Sequence, residues 1–148
     1  MNLKELQMII QTEEFRRLKK AHARSILTLL LIAKEEFNIL CHLEGIEFKP
    51  ALPEEIMKNF QEVILFAIAN YTLDSARIDE EYLAFEAGFG EENIGSMVIV
   101  PIENIIQINQ EDVPIPLFIN PAATLPKPKP KPKNPFALNP RNKRFMSE

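Results

Sequence analysis

Between residues 127 and 133 lysine alternates with proline without interruption. Proline has no amide hydrogen to donate and its ring excludes helix, while the intervening lysines repel one another, so the segment is confined to polyproline II or an unfolded spacer. A disordered Pro/Lys-rich tail therefore ends the chain, and whatever folds lies ahead of it. The full length of 148 residues is about one domain. Charge divides the chain at the same place. Residues 1–120 hold 10 Lys/Arg against 20 Asp/Glu, a charge of −10, and residues 121–148 hold 7 Lys/Arg against Glu148 alone, a charge of +6. An acidic body repels nucleic-acid phosphates, whereas a cationic tail can touch an acidic partner, nucleic acid or the body itself, with strong dependence on salt. With 46% hydrophobic and 26% charged residues the body has the composition of an ordinary folded protein. The expected organisation is an N-terminal helical region over 1–34, a β-rich domain over 35–120 and a flexible linker with a terminal peptide over 121–148.

Leu3, Leu6, Ile10, Leu18 and Ala21 recur at helical spacing among charged residues, which predicts a first amphipathic helix from Leu3 to about His22. Residues 25–33 are apolar on every side and suit either a continuing helix or a buried strand; their leucine richness favours helix. From Phe37 the period becomes two, with Phe37, Ile39, Cys41 and Leu43 on one face of a half-buried strand. Gly45 permits a bend, Pro50 and Pro53 stop the ladder, and residues 54–60 suit a helical turn. The continuous apolar run 63–69 predicts a central strand with both faces covered. A polar connection follows. Leu83, Phe85, Ala87 and Phe89 then share one face of another strand, Asn93-Ile94-Gly95 reads as the tip of a connection, and residues 97–100 form a strand that Pro101 stops. Pro101 can open a short helical turn before residues 105–108 extend again. The fold class is α+β: an N-terminal helix followed by a small antiparallel β barrel or sandwich.

The side chains that carry most catalytic chemistry are scarce. Cys41 is the lone cysteine and cannot form an internal disulfide, and His22 and His42 lack the paired spacings that metal sites need. Cys41 and His42 are neighbours on a strand and so point to opposite faces, which leaves Cys41 as a core thiol, while His22, near the end of a helix rich in Lys and Arg, reads as a C-terminal charge or polar surface residue. Runs such as 79–81 and 91–92 read as solvated carboxylates. Gly88-Phe89-Gly90 imitates the start of a dinucleotide loop, but Glu91 and Glu92 follow and would repel a pyrophosphate. The expectation is a protein that is not an enzyme and has no catalytic residue, metal or other cofactor. With no secretory leader and no apolar run of about 18 residues, the cytoplasm is the default location and membrane spanning is excluded.

Residues 62–108 carry Ile68-Ala69, then Phe85-Glu86-Ala87-Gly88-Phe89-Gly90, Val98-Ile99-Val100-Pro101 and Ile105-Ile106-Gln107-Ile108. In order and spacing these segments resemble the stringent starvation protein B family, adaptors that hand ssrA-tagged proteins to the ClpXP protease, whose members carry Phe-x-Ala-Arg-Phe-Gly-Gly followed by Val-x-Val-Pro. Leu43-Glu44-Gly45-Ile46-Glu47-Phe48 also looks like the family's first strand and its bend. The resemblance implies a homodimer paired through an N-terminal helix, a groove for an unstructured tagged peptide, and a tail that docks on the N-terminal domain of ClpX. It implies a groove lined by Ala69, Tyr71 and Thr72, with Ala87, Gly88 and Phe89 opposite. Gly88 stands where the family has arginine, residues 91–96 lengthen the next connection, and the linker is Lys-Pro where the family's tends to be acidic. Phe85 is expected in the core by its alternation with Leu83 and Ala87.

Past the spacer, Pro135-Phe136-Ala137-Leu138-Asn139-Pro140-Arg141 restores apolar side chains that no adjacent core can bury, the composition of a docking peptide. The leading functional expectation is a non-enzymatic adaptor that binds a tagged peptide and tethers it to the ClpX unfoldase. The alternative from another class is a single-stranded RNA- or DNA-binding small β barrel that uses its basic tail. Against nucleic acid stand the acidic body, the absence of tryptophan and a complement of only two tyrosines. A third reading is a structural subunit whose N-terminal region pairs with a different protein.

Overall fold

The computed structural model describes residues 9–125. Helix α1 (Glu13–Ala33) runs further than its periodicity predicts and is broken from a helical stretch at residues 9–10, while residues 3–8 of the expected helix lie outside the described residues. Thr12 has an extended backbone and its side-chain oxygen accepts the amide of Phe15 at 3.1 Å, so an N-cap interrupts the expected helix from Leu3 to about His22. Residues 25–33 are helical, and Lys34 closes the helix in the left-handed conformation (φ 55°) with its amide on the carbonyls of Leu30 and Leu31. Ala23, Leu27 and Leu30 form the buried stripe. They set α1 across a short 3-10 turn (Ile102–Asn104) and the strands β4 (Arg77–Ile78) and β8 (Phe118–Ile119). Lys20 pairs with Glu81, and the Arg24 Nε donates to the Asp79 carbonyl at 3.1 Å, fixing the helix to the turn before the fifth strand.

The remaining strands are β1 (Phe37–His42), β2 (Glu47–Lys49), β3 (Val63–Ile68), β5 (Tyr82–Phe89), β6 (Ile94–Pro101) and β7 (Ile105–Asn109). They form two four-stranded antiparallel sheets, in the orders β3-β1-β7-β8 and β2-β6-β5-β4. Gly45 (φ 93°) supplies the left-handed turn by which the chain leaves the first sheet for the second. The α+β class with antiparallel sheets is as expected. A closed barrel is not: each sheet keeps two edges among the described residues.

One cluster joins the inner faces. Ile39, Cys41, Ile68, Ile105 and Ile108 of the first sheet meet Leu83, Phe85, Val98 and Val100 of the second. The rings of Phe48, Phe60, Phe66, Phe85 and Phe89 continue it, with centroid separations from 5.3 to 6.4 Å. Period-two reading placed Phe37, Ile39, Cys41, Leu83 and Phe85 correctly. The central placement of residues 63–69 is overturned. β3 is an edge strand, with Val63 at 42% and Leu65 at 58% exposure, because its single partner is β1 and only Phe66, Ile68 and partly Ile64 turn inward.

Two short helices, α2 (Glu54–Met57) and α3 (Asn70–Ser75), fill the connections. Residues 54–57 occupy the expected helical turn, whereas α3 replaces what reads as plain polar connection. Ile94 and Gly95 belong to β6, so the tip of that hairpin is residues 90–93. Pro101 does lead into a 3-10 turn before β7. The folded body also runs past Asn120: its side-chain oxygen accepts the Ala122 amide at 3.0 Å and caps a second 3-10 turn (Pro121–Thr124) whose Ala122 and Ala123 are buried. No helix among the described residues is long and apolar enough to cross a membrane.

Candidate peptide-binding groove

The groove begins where β3 runs out. Ala69 is extended, and Asn70 adopts a left-handed backbone (φ 53°), a conformation that asparagine tolerates better than most residues. That turn starts α3 and brings Tyr71 and Thr72 over the free side of β5. Ser75 then acts as a staple. Its Oγ donates to the Thr72 carbonyl at 2.7 Å and accepts the Glu86 amide at 2.8 Å. The Tyr71 hydroxyl donates to the Glu86 carboxylate from the same side. This hydrogen bond, followed by the negative charge of Glu86, pushes the Tyr71 phenol above its ordinary value.

The Ser75 contact also fixes which way the β5 backbone faces. Glu86 lies opposite Met97 of β6, yet its amide bonds to Ser75, so Glu86 turns its backbone polar groups away from β6. In an antiparallel pair this orientation repeats every second residue. Gly88, opposite Gly95, therefore points its amide and carbonyl to the same outer edge. Strand β4 covers that edge only at Leu83 and Ala84, and α3 reaches Glu86. Beyond Glu86 the edge borders an open cavity of about 770 Å³, within the range of about 300–1,000 Å³ typical of ligand pockets.

Ala69, Tyr71, Thr72, Ala87 and Gly88 all line this cavity. Phe89, expected beside them, does not. Its side chain continues the inward alternation of Leu83 and Phe85, and its ring sits 5.6 Å from Phe48 and 5.9 Å from Phe60. The tail residues Pro135, Phe136, Ala137, Leu138 and Arg141 lie outside the described residues.

Sequence reasoning missed the opposite wall. Lys49, Pro50, Asn93, Ser96 and Met97 complete the lining, and Ser96, itself buried, donates to the Pro50 carbonyl at 2.9 Å. Asn93 bears directly on Gly88. A Cβ at position 88 would stand 1.8 Å from Asn93 Oδ1 and 2.6 Å from its Cγ. The asparagine amide thus occupies the space into which a side chain at position 88 would project. Glu86 was visible only as the variable position between Phe85 and Ala87.

Elsewhere, Cys41 is a core thiol whose burial pushes it up to about 12. Among the described residues no group of three His, Cys, Asp or Glu side chains is placed to hold a metal ion. No family model matches this chain and no curated protein matches it, so the groove stands on its own residues.

Proposed function

We propose that this protein is a peptide-capturing adaptor that takes an extended, ssrA-like tag along the outer edge of β5 and delivers its bearer to ClpX through the C-terminal tail. The observation that carries the reading is the outward-facing backbone of Gly88 beside the 770 Å³ cavity. An extended peptide needs main-chain partners for affinity and side-chain pockets for selectivity, and this edge supplies both. Ala69, Ala87, Gly88 and Gly95 keep the cavity shallow-walled and suited to small side chains. Glu86 and Lys49 place one charge of each sign in it.

The adaptor works as a homodimer. Leu18, Leu29 and Ile32 are 65%, 68% and 76% exposed and lie within one narrow stripe of α1, opposite the buried stripe through Leu27. A second copy covers that apolar stripe. The linker raises the local concentration of the captured protein at the unfoldase, to about millimolar for a flexible tether, with no bond made or broken by the adaptor.

A fluorescently labelled peptide ending in an ssrA-like tag, titrated against the full chain, tests the capture step. Saturable binding is expected, weakened about tenfold or more by Thr72→Trp, which fills the groove from α3. Equal binding by the variant sinks the assignment of the groove.

A further inference from the structure

Lys49, Met97 and Glu86 stand side by side across β2, β6 and β5, so one row of the second sheet carries a cation at one end and an anion at the other. All three line the groove. Neighbouring strands lie about 4.8 Å apart, which puts the Lys49 and Glu86 backbones about 10 Å from each other with Met97 between them. Lys49 turns to its own strand, where its Nζ stands 3.7 Å from the Glu47 carboxylate. Glu86 is left without an ion pair among the described residues. Its side-chain partner is a neutral group, the Tyr71 hydroxyl. A carboxylate offers two oxygens and about four lone-pair directions, so one hydroxyl leaves room for a further donor.

Glu86 is also held in place. Ser75 fixes its backbone amide and Tyr71 fixes its side chain, so a cation meets a carboxylate that is already oriented and loses less freedom on binding. The surroundings carry the same sign. Side chains alternate across a strand, so Glu86 and position 88 face one way, and Gly88 projects nothing there. Asn93 lays its side-chain amide over that glycine, with the oxygen nearest. Glu91 and Glu92 stand exposed on the same hairpin, on a body whose residues 1–120 carry a charge of −10. An acidic side chain entering here meets repulsion, while a cationic one meets a carboxylate and an amide oxygen.

We infer that the groove selects a tag bearing a lysine or arginine flanked by small residues, and that Glu86 is the residue that reads it. This specificity rests on the peptide capture at the β5 edge proposed above. A peptide strand laid beside Gly88 places one of its side chains diagonally across from Glu86, a separation of about 7–8 Å that long side chains bridge. The ammonium or guanidinium group donates to the Glu86 oxygen that Tyr71 leaves open, and its methylenes lie along Met97. Small neighbours follow from the walls, where Ala69, Thr72 and Ala87 stand close on either side.

Three labelled alanine–serine peptides that differ only in one central residue, lysine, norleucine or glutamate, test this when titrated against the full chain by fluorescence anisotropy. Norleucine keeps the reach of lysine without its charge. The lysine peptide is expected to bind about fivefold more tightly than the norleucine peptide, and the glutamate peptide more weakly than either, with the gaps narrowing as salt is raised. In Glu86→Gln the lysine-to-norleucine ratio should fall to about one, and Glu86→Lys should make the glutamate peptide the preferred ligand. Equal binding of the lysine and norleucine peptides by the parent, or a preference that survives Glu86→Gln, overturns the inference; capture itself stands if Thr72→Trp still weakens all three peptides. Absence of saturable binding by any peptide, or binding that Thr72→Trp leaves intact, overturns capture and the charge preference together.

Discussion

The groove beside β5 and the small cavity beneath Asn104 differ in which atoms are left without partners. In the groove the side chains are largely satisfied: Tyr71 bonds Glu86, Ser75 bonds Thr72 and the Glu86 amide, and Ser96 bonds Pro50. What remains available is backbone, at Gly88, and the Glu86 oxygen that Tyr71 leaves open. Around the small cavity, about 220 Å³ between α1 and the two 3-10 turns, the backbone is committed to caps and bends, and the polar atoms without a hydrogen bond, Asn104 Oδ1 and His42 Nδ1, are buried away from any open space. Main-chain edges suit an extended polymer because every peptide offers the same donor and acceptor at each second residue.

Three substitutions break that contrast, in decreasing order of effect. Asn104→Ala removes the amide that holds the His42 and Glu44 carbonyls, and is expected to lower stability by about 2–3 kcal/mol, seen as a lower urea midpoint with an unchanged slope. A midpoint equal to that of the parent would mean that those carbonyls find water instead. Ser75→Ala releases α3 from β5 for about 1 kcal/mol. Hydrogen exchange at the Glu86 amide should then accelerate while the Asn104 region keeps its protection, and a uniform acceleration would dissolve the distinction between the two sites. Glu86→Gln should scarcely move the denaturation midpoint but should lower the phenol titration of Tyr71, followed by ultraviolet absorbance. The sign follows from the raised phenol of the folded chain. The Tyr71 contact is fully present below the ordinary tyrosine value of about 10 and is lost as pH rises through the higher folded one. A titration unchanged by the substitution removes Glu86 as the cause.

Much of the architecture was legible because alternation is a local property. Phe37, Ile39 and Cys41, and again Leu83 and Phe85, announce their inward face by spacing alone, and all are buried. Pro101 marks the 3-10 turn for an equally local reason, its missing amide. The run at residues 63–68 was misleading for a physical reason too. Apolar residues on both faces of a strand report that burial is possible, not that a neighbour exists, and only the strand order leaves Val63 and Leu65 open. The helix α3 escaped notice because six residues carry little periodicity, and its start depends on the left-handed Asn70.

The same division holds for the sites. Ala69, Tyr71, Thr72, Ala87 and Gly88 were named from the resemblance of short segments, not from any period of the chain, and all five line the cavity. Phe89 was misplaced because its ring is drawn into the aromatic cluster with Phe48 and Phe60, contacts that come from elsewhere in the chain. Lys49, Asn93 and Ser96 could not be found, since they reach the groove from β2 and the β5–β6 hairpin. By itself, the amino-acid order determined the strands' inward faces, the acidic body and the Lys-Pro boundary, all of which depend on neighbours along the chain. Tertiary structure alone decided which strand edge stays open, that Asn93 fills the space beside Gly88, and that Asn104 and His42 share a cavity, because these depend on contacts between residues far apart in sequence, which no local period encodes.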